Sequence, residues 1–498
     1  MERQALSMKR VVIIGGGIGG LSAAARLAHA GYAVTVLEQQ EKVGGKLQRI
    51  QLGEYRFDRG PSTITMTHAF RKVFVSVGRR IEDYINFYRL EHGTRNCFTD
   101  GSVVDLSADP AVMEEQISRY SPEDARRYRA FMAEAAVMYG QAERHFMNKM
   151  MVSWQDKLSP GLAAAFVRIR PLTKLSVLLR RYFRHPNTLA LFGRYATYVG
   201  SAPNRAPAIF AMLPHVEAEL GIFGVRGGTY SIIEGLRQLA EEMGAEIHTS
   251  TRVQRIVASG GRVSGVETDG GFVPADLVLA NGDVLSVCRD LLGEQLRPAM
   301  TDRKMASYEP SLSGFVTLAG IRRRYDKLLH HTVFYPQRYG EEFEAIFERR
   351  VAPADPAIYI CCSAYSEPDM APEGGSNLFI LANAPYTSDA WSWEREAERY
   401  QERLLKQLAA YGLVGLERNM EQLAAYTPED LERDTSAFRG AIYGISSNSA
   451  KQTFMRPSNR ADLRGLWFAG GTTHPGGGTP MVAMSGLLTA EAMIRQHS

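Results

Sequence analysis

Three glycines near the start of the chain have the spacing of a phosphate-binding turn. Gly15, Gly17 and Gly20 lie between a short apolar run and an Ala-rich, helix-favouring stretch. In such a turn the first glycine makes a tight bend, the second lets the backbone approach a pyrophosphate, and the third lets the helix pack against the strand. The helix N-terminus then presents unpaired N–H groups and the positive end of its dipole to the phosphates.

An acidic residue completes this pattern. Glu38 comes 18 residues after Gly20 and ends a second apolar run at 33–37. A carboxylate at this place accepts hydrogen bonds from ribose hydroxyls, and its charge repels a 2′-phosphate. A glycine turn alone would be compatible with any α/β domain. Because strand, turn, helix, second strand and spaced acid occur together, the sequence predicts a dinucleotide site.

Two further turns follow this unit. Gly44 and Gly45 let the chain pass close over a ligand, and Lys46 adds a cation for a phosphate. Residues 57–62, FDRGPS, form the next turn. Taken singly, each of these pieces is equally compatible with an ordinary surface turn.

The far end of the chain supplies another site for negative charge. An apolar strand predicted at 466–469 runs into a glycine-rich segment at 470–486. Thr479 can cap a following helix, and Pro480 suits its first turn. The first motif serves both NAD and FAD, but the positive end of this terminal helix favours the negative pyrimidine edge of a reduced flavin. The simpler alternative is a capped helix that only packs.

Together these segments resemble the bacterial-type phytoene desaturase family, carotenoid-modifying flavoproteins within the larger amine-oxidase-like group. The resemblance covers nearly the whole chain and implies FAD as the cofactor. It also implies that the terminal GGxxHPGxGxP segment meets the isoalloxazine and that Val253 holds the adenine through its backbone. No catalytic side chain and no metal site are assigned. The expected cofactor-binding residues are Gly15, Gly17, Gly20, Glu38, Gly45, Lys46, Gly60, Pro61, Val253, Gly470, Gly471, Pro475, Gly476, Gly478, Pro480 and Met481.

The expected fold class is α/β, with a discontinuous Rossmann-like FAD domain and an interleaved substrate domain of mixed sheet and helices. The FAD domain is expected at residues 1–75, 225–300 and 435–498, and the substrate domain at 76–224 and 301–434.

Within the substrate domain, local patterns predict individual elements. Residues 97–106 predict a hairpin around Asp100-Gly101, and 110–220 predict mainly helices. Residues 311–385 are rich in strand-favouring runs, and 393–411 predict one charged amphipathic helix.

Three motifs are similar to diaponeurosporene and diapolycopene oxygenases within this family: HPGGGTPMVAMSG, YVGSAPNRAPAIFAML and FRGAIYG. They imply oxidation of the terminal methyl of an acyclic C30 carotenoid to an alcohol and an aldehyde. A carotenoid desaturase with the same cofactor is the main alternative. A non-catalytic lipid-binding flavoprotein and an amine oxidase are more distant ones.

Composition limits the remaining functions. A net charge of +4 over 498 residues does not suit a general polyanion binder, and no nucleic-acid module is present. The four cysteines have no metal or disulfide spacing, which suits a reducing compartment. With no secretory signal and no long apolar run, we expect a cytoplasmic protein. The sequence makes no prediction of an oligomer.

A basic segment indicates contact with a membrane. Residues 157–216 contain nine Lys and Arg residues and no Asp or Glu. On a helical wheel from 171 onward, leucines fall on one side, and on the other lie Lys174, Arg180, Arg181 and Arg184. This pattern is typical of a helix lying on anionic lipid. The alternative is a surface helix whose apolar side faces the protein core. We favour peripheral membrane binding, since a carotenoid resides in the bilayer.

Overall fold

The computed structural model describes residues 8–150 and 168–497. The strands are β1 (Arg10–Ile14), β2 (Ala33–Leu37), β3 (Gln48–Leu52), β4 (Tyr55–Arg59), β5 (Phe87–Arg89), β6 (Arg95–Cys97), β7 (Val103–Asp105), β8 (Phe223–Val225), β9 (Glu246–His248), β10 (Val253–Ser259), β11 (Arg262–Thr268), β12 (Gly271–Pro274), β13 (Leu277–Ala280), β14 (Ser313–Ile321), β15 (His331–Phe334), β16 (Ile358–Cys362), β17 (Ser376–Ala384), β18 (Met420–Tyr426) and β19 (Leu466–Phe468).

Helices surround and connect these strands. The α-helices of the described residues are α1 (Ile18–His29), α2 (Thr67–Val75), α3 (Pro110–Ser118), α4 (Pro122–Ala142), α5 (Leu175–Tyr182), α6 (Pro186–Gly193), α7 (Leu213–Leu220), α8 (Ser231–Glu242), α9 (Val284–Leu291), α10 (Asp302–Ala306), α11 (Tyr339–Glu344), α12 (Trp393–Ala410), α13 (Pro428–Thr435), α14 (Ala450–Phe454) and α15 (Thr479–His497).

A five-stranded parallel sheet has the order β19-β13-β1-β2-β9. Strand β1 lies at its centre, paired with β2 on one side and β13 on the other. The unit β1–α1–β2 has the predicted order, and Gly31 follows the helix with a φ of +87°. Helix α1 packs directly against the terminal helix α15. This contact brings the two ends of the chain together.

All five strands of this sheet fall within the ranges expected for the FAD domain, as does the antiparallel sheet β10-β11-β12. The exact boundaries of that domain stay a prediction.

The second large sheet has seven strands in the order β18-β14-β17-β16-β15-β6-β7. The predicted hairpin is present, because β6 and β7 pair with Cys97 opposite Val103. The amphipathic helix α12 covers this sheet, and its Trp393 and Tyr400 rings lie 5.1 Å and 5.2 Å from the ring of Phe315. The predicted α/β class, with a Rossmann-like unit and a mixed sheet carrying helices, is confirmed.

The basic segment differs from our expectation in one respect. Helix α5 turns its apolar side into the protein, where Leu175, Leu178, Leu179 and Phe183 are all buried. The expectation that this side meets lipid is therefore wrong, because the core around α4 and α6 already covers it. The outer surface carries the four predicted basic residues together with Leu172 and Val177, which are 88% and 48% exposed. Lys157 lies outside the described residues.

Among residues 8–150 and 168–497, no helix combines the length and apolar character needed to span a bilayer.

Candidate functional site

One cavity of about 680 Å³ lies where the two large sheets approach each other. It collects most of the residues that the sequence assigned to the cofactor. Those lining it are Gly15, Gly17, Glu38, Gly45, Lys46, Gly60, Pro61, Val253, Gly470, Gly471, Pro475, Gly476, Gly478, Pro480 and Met481. The folded chain thus brings segments from its beginning, middle and end to a single place.

The remaining predicted residue, Gly20, lies behind this wall. A Cβ atom at Gly20 would lie only 2.2 Å from the carbonyl oxygen of Gly15. Gly20 therefore allows helix α1 to touch the turn before it, which is the packing role of the third glycine in such motifs. It supports the site without facing the cavity.

The start of helix α1 is open toward the cavity. Gly17 is the residue that precedes the helix, and no side chain caps the helix N-terminus. The first N–H groups of a helix have no partner within it. They and the helix dipole are suited to a pyrophosphate passing over Gly15 and Gly17.

Glu38 is held firmly at the edge of the cavity. Its two carboxylate oxygens accept hydrogen bonds from the backbone N–H groups of Gly16 at 2.8 Å and Gln40 at 2.9 Å. The residue is 5% exposed. Burial raises the pKa of its carboxyl group, and the two hydrogen bonds lower it by less. A carboxylate offers about four acceptor positions, so two stay available to ribose hydroxyls.

Lys46 lies at the cavity, but its ammonium group is already engaged. Its Nζ donates to the carbonyl oxygens of Ala441 at 3.0 Å and Ile442 at 2.6 Å. Burial lowers the pKa of Lys46 to about 8, and the negative charge of Asp283 opposes this shift. An ammonium has three donors, so one N–H is left for a phosphate.

The segment FDRGPS is not a free surface turn, because it is hydrogen-bonded to the turn that contains Thr229. Asp58 accepts a hydrogen bond from the backbone N–H of Thr229, and burial raises the pKa of its carboxyl group to about 6. A Cβ atom at Gly228 would lie 2.2 Å from Asp58 Oδ2, so only glycine fits there. This link places Gly60 and Pro61 against the cavity.

The terminal helix begins at the cavity, as the sequence predicted. Gly476 and Gly478 precede α15 with φ angles of +132° and +102°, which glycine adopts easily. Thr479 is its first residue, and Pro480 and Met481 line the cavity with it.

Sequence reasoning missed two charged residues here. Asp283 caps helix α9 by accepting from the N–H of Leu285 at 3.0 Å, and Arg456 Nη1 donates to the carbonyl of Gly471 at 3.0 Å. Burial lowers the pKa of Arg456 to about 10, opposed by Asp283. An Asp three residues after the end of the apolar strand β13 was the available signal, since Asp is a favoured N-cap.

These residues fit FAD. Glycines without side chains line its wall, two helices begin at the cavity, and a carboxylate is placed for ribose. Beside them Lys46 and Arg456 provide two buried cations whose pKa values are lowered by burial and raised by Asp283, so either can attract a negatively charged part of the cofactor.

The other part of the cavity is mainly apolar. Helical segments and the seven-stranded sheet provide its walls, which include Ile209, Met212, Leu213, Val216, Leu312, Val316, Val333, Phe379 and Leu381. Phe146 and Met147 also line it. This part of the cavity suits a long apolar molecule.

A buried polar group adjoins that wall. The hydroxyl of Tyr359 lies 2.7 Å from Ser62 Oγ and 2.8 Å from His331 Nδ1. The side chains of His330, His331 and Cys361 offer ligand atoms within 4.8 Å of one another, an arrangement that their sequence spacing did not indicate. All four cysteines are free and buried.

Comparisons with known proteins agree with this geometry. A zeta-carotene-forming phytoene desaturase from Myxococcus xanthus is 34% identical over 489 residues, covering 98% of this chain and 94% of that protein. A 4,4'-diapolycopene oxygenase from Methylomonas sp. is 32% identical, covering 98% of both. A 4,4'-diaponeurosporene oxygenase from Staphylococcus haemolyticus is also 32% identical, covering 98% of this chain and 97% of the relative. The resemblance to the phytoene desaturase family is confirmed.

Solved structures with low sequence identity share the fold. An oxidoreductase from Methanosarcina mazei has a TM-score of 0.67 at 17% identity, over 97% of this chain and 100% of that one. Putrescine oxidase bound to putrescine has a TM-score of 0.66 at 14% identity, over 98% of this chain and 99% of that one.

A sequence profile described as flavin containing amine oxidoreductase matches residues 18–494, which is nearly the whole chain. The cofactor is FAD, as predicted. The chain is an FAD-dependent oxidoreductase and belongs to the flavin containing amine oxidoreductase family.

Proposed function

We propose that this enzyme acts on an acyclic carotenoid, oxidising a terminal methyl group to the alcohol and then the aldehyde, with a C30 chain as substrate. One observation carries the proposal: the glycine turns and the long apolar walls line the same cavity. A hydrocarbon offers no polar group, so shape and apolar contact must position it. Relatives at 32% identity that are named for 4,4'-diapolycopene and 4,4'-diaponeurosporene oxygenation support this choice of substrate class.

We further propose that the cofactor-binding residues and domains are those assigned from sequence. Fifteen of the sixteen expected residues lie along the cavity, and Gly20 supports the turn from behind. The parallel sheet belongs to an FAD domain at 1–75, 225–300 and 435–498. The seven-stranded sheet belongs to a substrate domain at 76–224 and 301–434.

Each oxidation balances with water as the oxygen source. Converting a methyl group to a primary alcohol takes one water, replaces a C–H bond by a C–O bond, and releases two electrons and two protons. Converting the alcohol to the aldehyde breaks a second C–H bond and the O–H bond, with the same release. When bound, FAD would accept two electrons at each oxidation and would be reoxidised by an external two-electron acceptor before the next one. Because the polyene delocalises positive charge, the protein needs no strong base beside the reacting carbon.

The protein's part is therefore binding and orientation. The apolar walls fix which carbon of the polyene lies at the glycine-lined end. Ser62 and Tyr359, whose hydroxyls lie 2.7 Å apart, both line the cavity. Such hydroxyls can hold a water beside a reacting carbon.

Product analysis tests the proposal. The purified holoenzyme is incubated with an acyclic C30 polyene, and the products are separated by absorption spectrum and mass. We expect products that have gained one oxygen and, after the second oxidation, lost two hydrogens. Parallel reactions in H₂¹⁸O and under ¹⁸O₂ identify the oxygen source, and label from ¹⁸O₂ would contradict the water route.

The desaturase is the second candidate, favoured by the 34% identity to a phytoene desaturase. It requires the same cofactor and the same cavity but ends with loss of a proton from the neighbouring carbon. Lengthened conjugation without added oxygen in the same assay would assign the chain to this reaction.

We also infer that the enzyme binds anionic membranes peripherally. On the outer surface of α5, Lys174, Arg180 and Arg181 surround the exposed Val177. Leu172 lies just before the helix and is 88% exposed. Basic side chains attract anionic lipid, and exposed aliphatic side chains can enter its headgroup region. A substrate dissolved in the bilayer makes such contact useful.

A further inference from the structure

A cation lies in the apolar part of the cavity wall. Arg194 is 7% exposed, and it lines the cavity together with Val199, Ile209 and Leu213. Burial of a guanidinium is unfavourable unless its charge is balanced and its N–H groups find acceptors. A pure hydrocarbon provides neither, so the position of Arg194 is unexpected for a cavity that binds only hydrocarbon.

The protein balances the charge of Arg194 from behind. Its Nη2 donates to the hydroxyl of Tyr198 at 3.1 Å, and its Cζ lies 5.1 Å from the centre of that ring. Glu217 is buried nearby, with Oε2 accepting from the Tyr195 hydroxyl at 2.5 Å. Burial raises the pKa of Glu217, and the charge of Arg194 is the largest opposing influence. These contacts fix the guanidinium in orientation.

Two buried donors at this place have no acceptor. Arg194 Nε and the hydroxyl of Tyr339 are both shielded from solvent, and neither makes a hydrogen bond. Both residues line the same cavity. Burial raises the pKa of Tyr339 well above its usual range, so the hydroxyl keeps its proton and can donate. An unpaired buried donor is unfavourable, and a small shift of either side chain toward the cavity would let it donate to a ligand oxygen there.

We propose that Arg194 and Tyr339 form a subsite for the oxidised end of the polyene, donating hydrogen bonds to its hydroxyl or aldehyde oxygen. This inference rests on the proposed function, which supplies those end groups. Tyr198 orients the guanidinium. A polyene whose oxidised end is held in this subsite is retained in the cavity instead of being released.

Comparative binding tests the subsite. Dissociation constants are measured with the holoenzyme by quenching of tryptophan fluorescence, for an acyclic C30 hydrocarbon and for the same polyene with one terminal primary alcohol. The ratio of the two constants is then compared between wild type and variants in the same detergent. The two polyenes partition differently into micelles, but this difference is the same for every protein and cancels in the comparison. We expect the wild type to prefer the alcohol by about tenfold or more, as for a hydrogen bond from a charged donor.

Variants separate binding from folding. Arg194→Met should remove most of the preference while hydrocarbon binding is kept, and Arg194→Lys should restore part of it. Tyr339→Phe deletes a single hydroxyl and should reduce the preference by a smaller factor of about two to ten. Arg126→Met removes an exposed arginine on α4 and should leave both constants unchanged.

Three outcomes would overturn the inference. If the wild type binds hydrocarbon and alcohol equally, or if Arg194→Met and Tyr339→Phe keep the full preference, the subsite does not exist and the proposed function stands. If the wild type binds neither polyene, the proposed function fails together with the subsite.

Discussion

The Cβ position of Gly20 lies 2.2 Å from the carbonyl oxygen of Gly15, so the first turn of α1 and the end of β1 are in backbone contact. Even a methyl group at Gly20 would force the helix away from the strand. The glycine is therefore required by packing rather than by contact with the cofactor.

Replacing Gly20 should weaken both the fold and cofactor retention. We expect Gly20→Ala to lower the free energy of unfolding by at least about 1–3 kcal/mol, as overpacking does, and to reduce the flavin bound per chain. Chemical denaturation and the flavin absorbance of the purified protein measure the two effects. Gly140→Ala is the matched control, because a Cβ there meets no atom within 4 Å in helix α4. A variant at Gly20 as stable as this control would contradict the packing argument.

A buried carboxyl group outside the cavity should make stability depend on pH. Glu342 is 1% exposed, and its oxygens accept from the N–H of Ala357 and from the amide of Asn383. Burial raises the pKa of Glu342 from 4.5 to about 7. Between these values the folded chain binds more protons than the unfolded chain, so this group's contribution to stability is lost as the pH rises toward and past 7.

Glu342→Gln should remove this dependence. Relative to wild type, we expect the variant to gain stability with rising pH, by on the order of 3 kcal/mol at pH 8, and to show no such gain below pH 4.5. Denaturant unfolding at several pH values measures it. Glu341→Gln changes the exposed neighbour and serves as control. A flat difference between variant and wild type across this range would show that Glu342 is ionised normally.

Filling the apolar part of the cavity should block the substrate without affecting the cofactor. Met147 lines that part, and a Trp there adds a large rigid ring. We expect Met147→Trp to lower kcat/KM for a C30 polyene by about tenfold or more while flavin content stays at the wild-type level. Met455→Trp, at a residue that is 62% exposed, should behave as wild type. Unchanged turnover in Met147→Trp would mean that the polyene takes another route.

Charge reversal on α5 should reduce membrane binding. We expect Arg180→Glu combined with Arg181→Glu to weaken binding to anionic vesicles at low salt by about tenfold or more, since each basic residue near such a surface contributes about 1 kcal/mol. Vesicle co-sedimentation measures it. The matched control reverses Arg126 and Arg127, two adjacent exposed arginines on α4. If both double variants lose vesicle binding equally, overall charge and not the surface of α5 is responsible. If the wild type does not bind anionic vesicles, the membrane proposal is wrong.

Local sequence signals were sufficient for the cofactor-binding unit. The β1–α1–β2 motif, the start of α15 at Thr479 and the hairpin at β6–β7 follow from glycine geometry, capping and turn preferences, which act over a few residues. The resemblance to a known family then joined the separate glycine turns into one expected site.

The helical wheel of α5 shows what such signals leave open. A stripe of leucines has the same periodicity whether it meets lipid or the protein core. Only the packing of α4 and α6 around Leu178 and Phe183 decided between them.

The sequence by itself determined the fold class, because its elements depend on residue types at short, fixed spacing, and the family resemblance carried by its motifs gave the cofactor and a prediction of the residues around it. The tertiary structure decided the neighbours of the buried charges. It placed Lys46 against backbone carbonyls, Asp283 close enough to Lys46 and Arg456 to shift their pKa values, and Arg194 in an apolar wall. These partners lie far apart along the chain, and the energy of a buried charge depends on neighbours that only folding brings together.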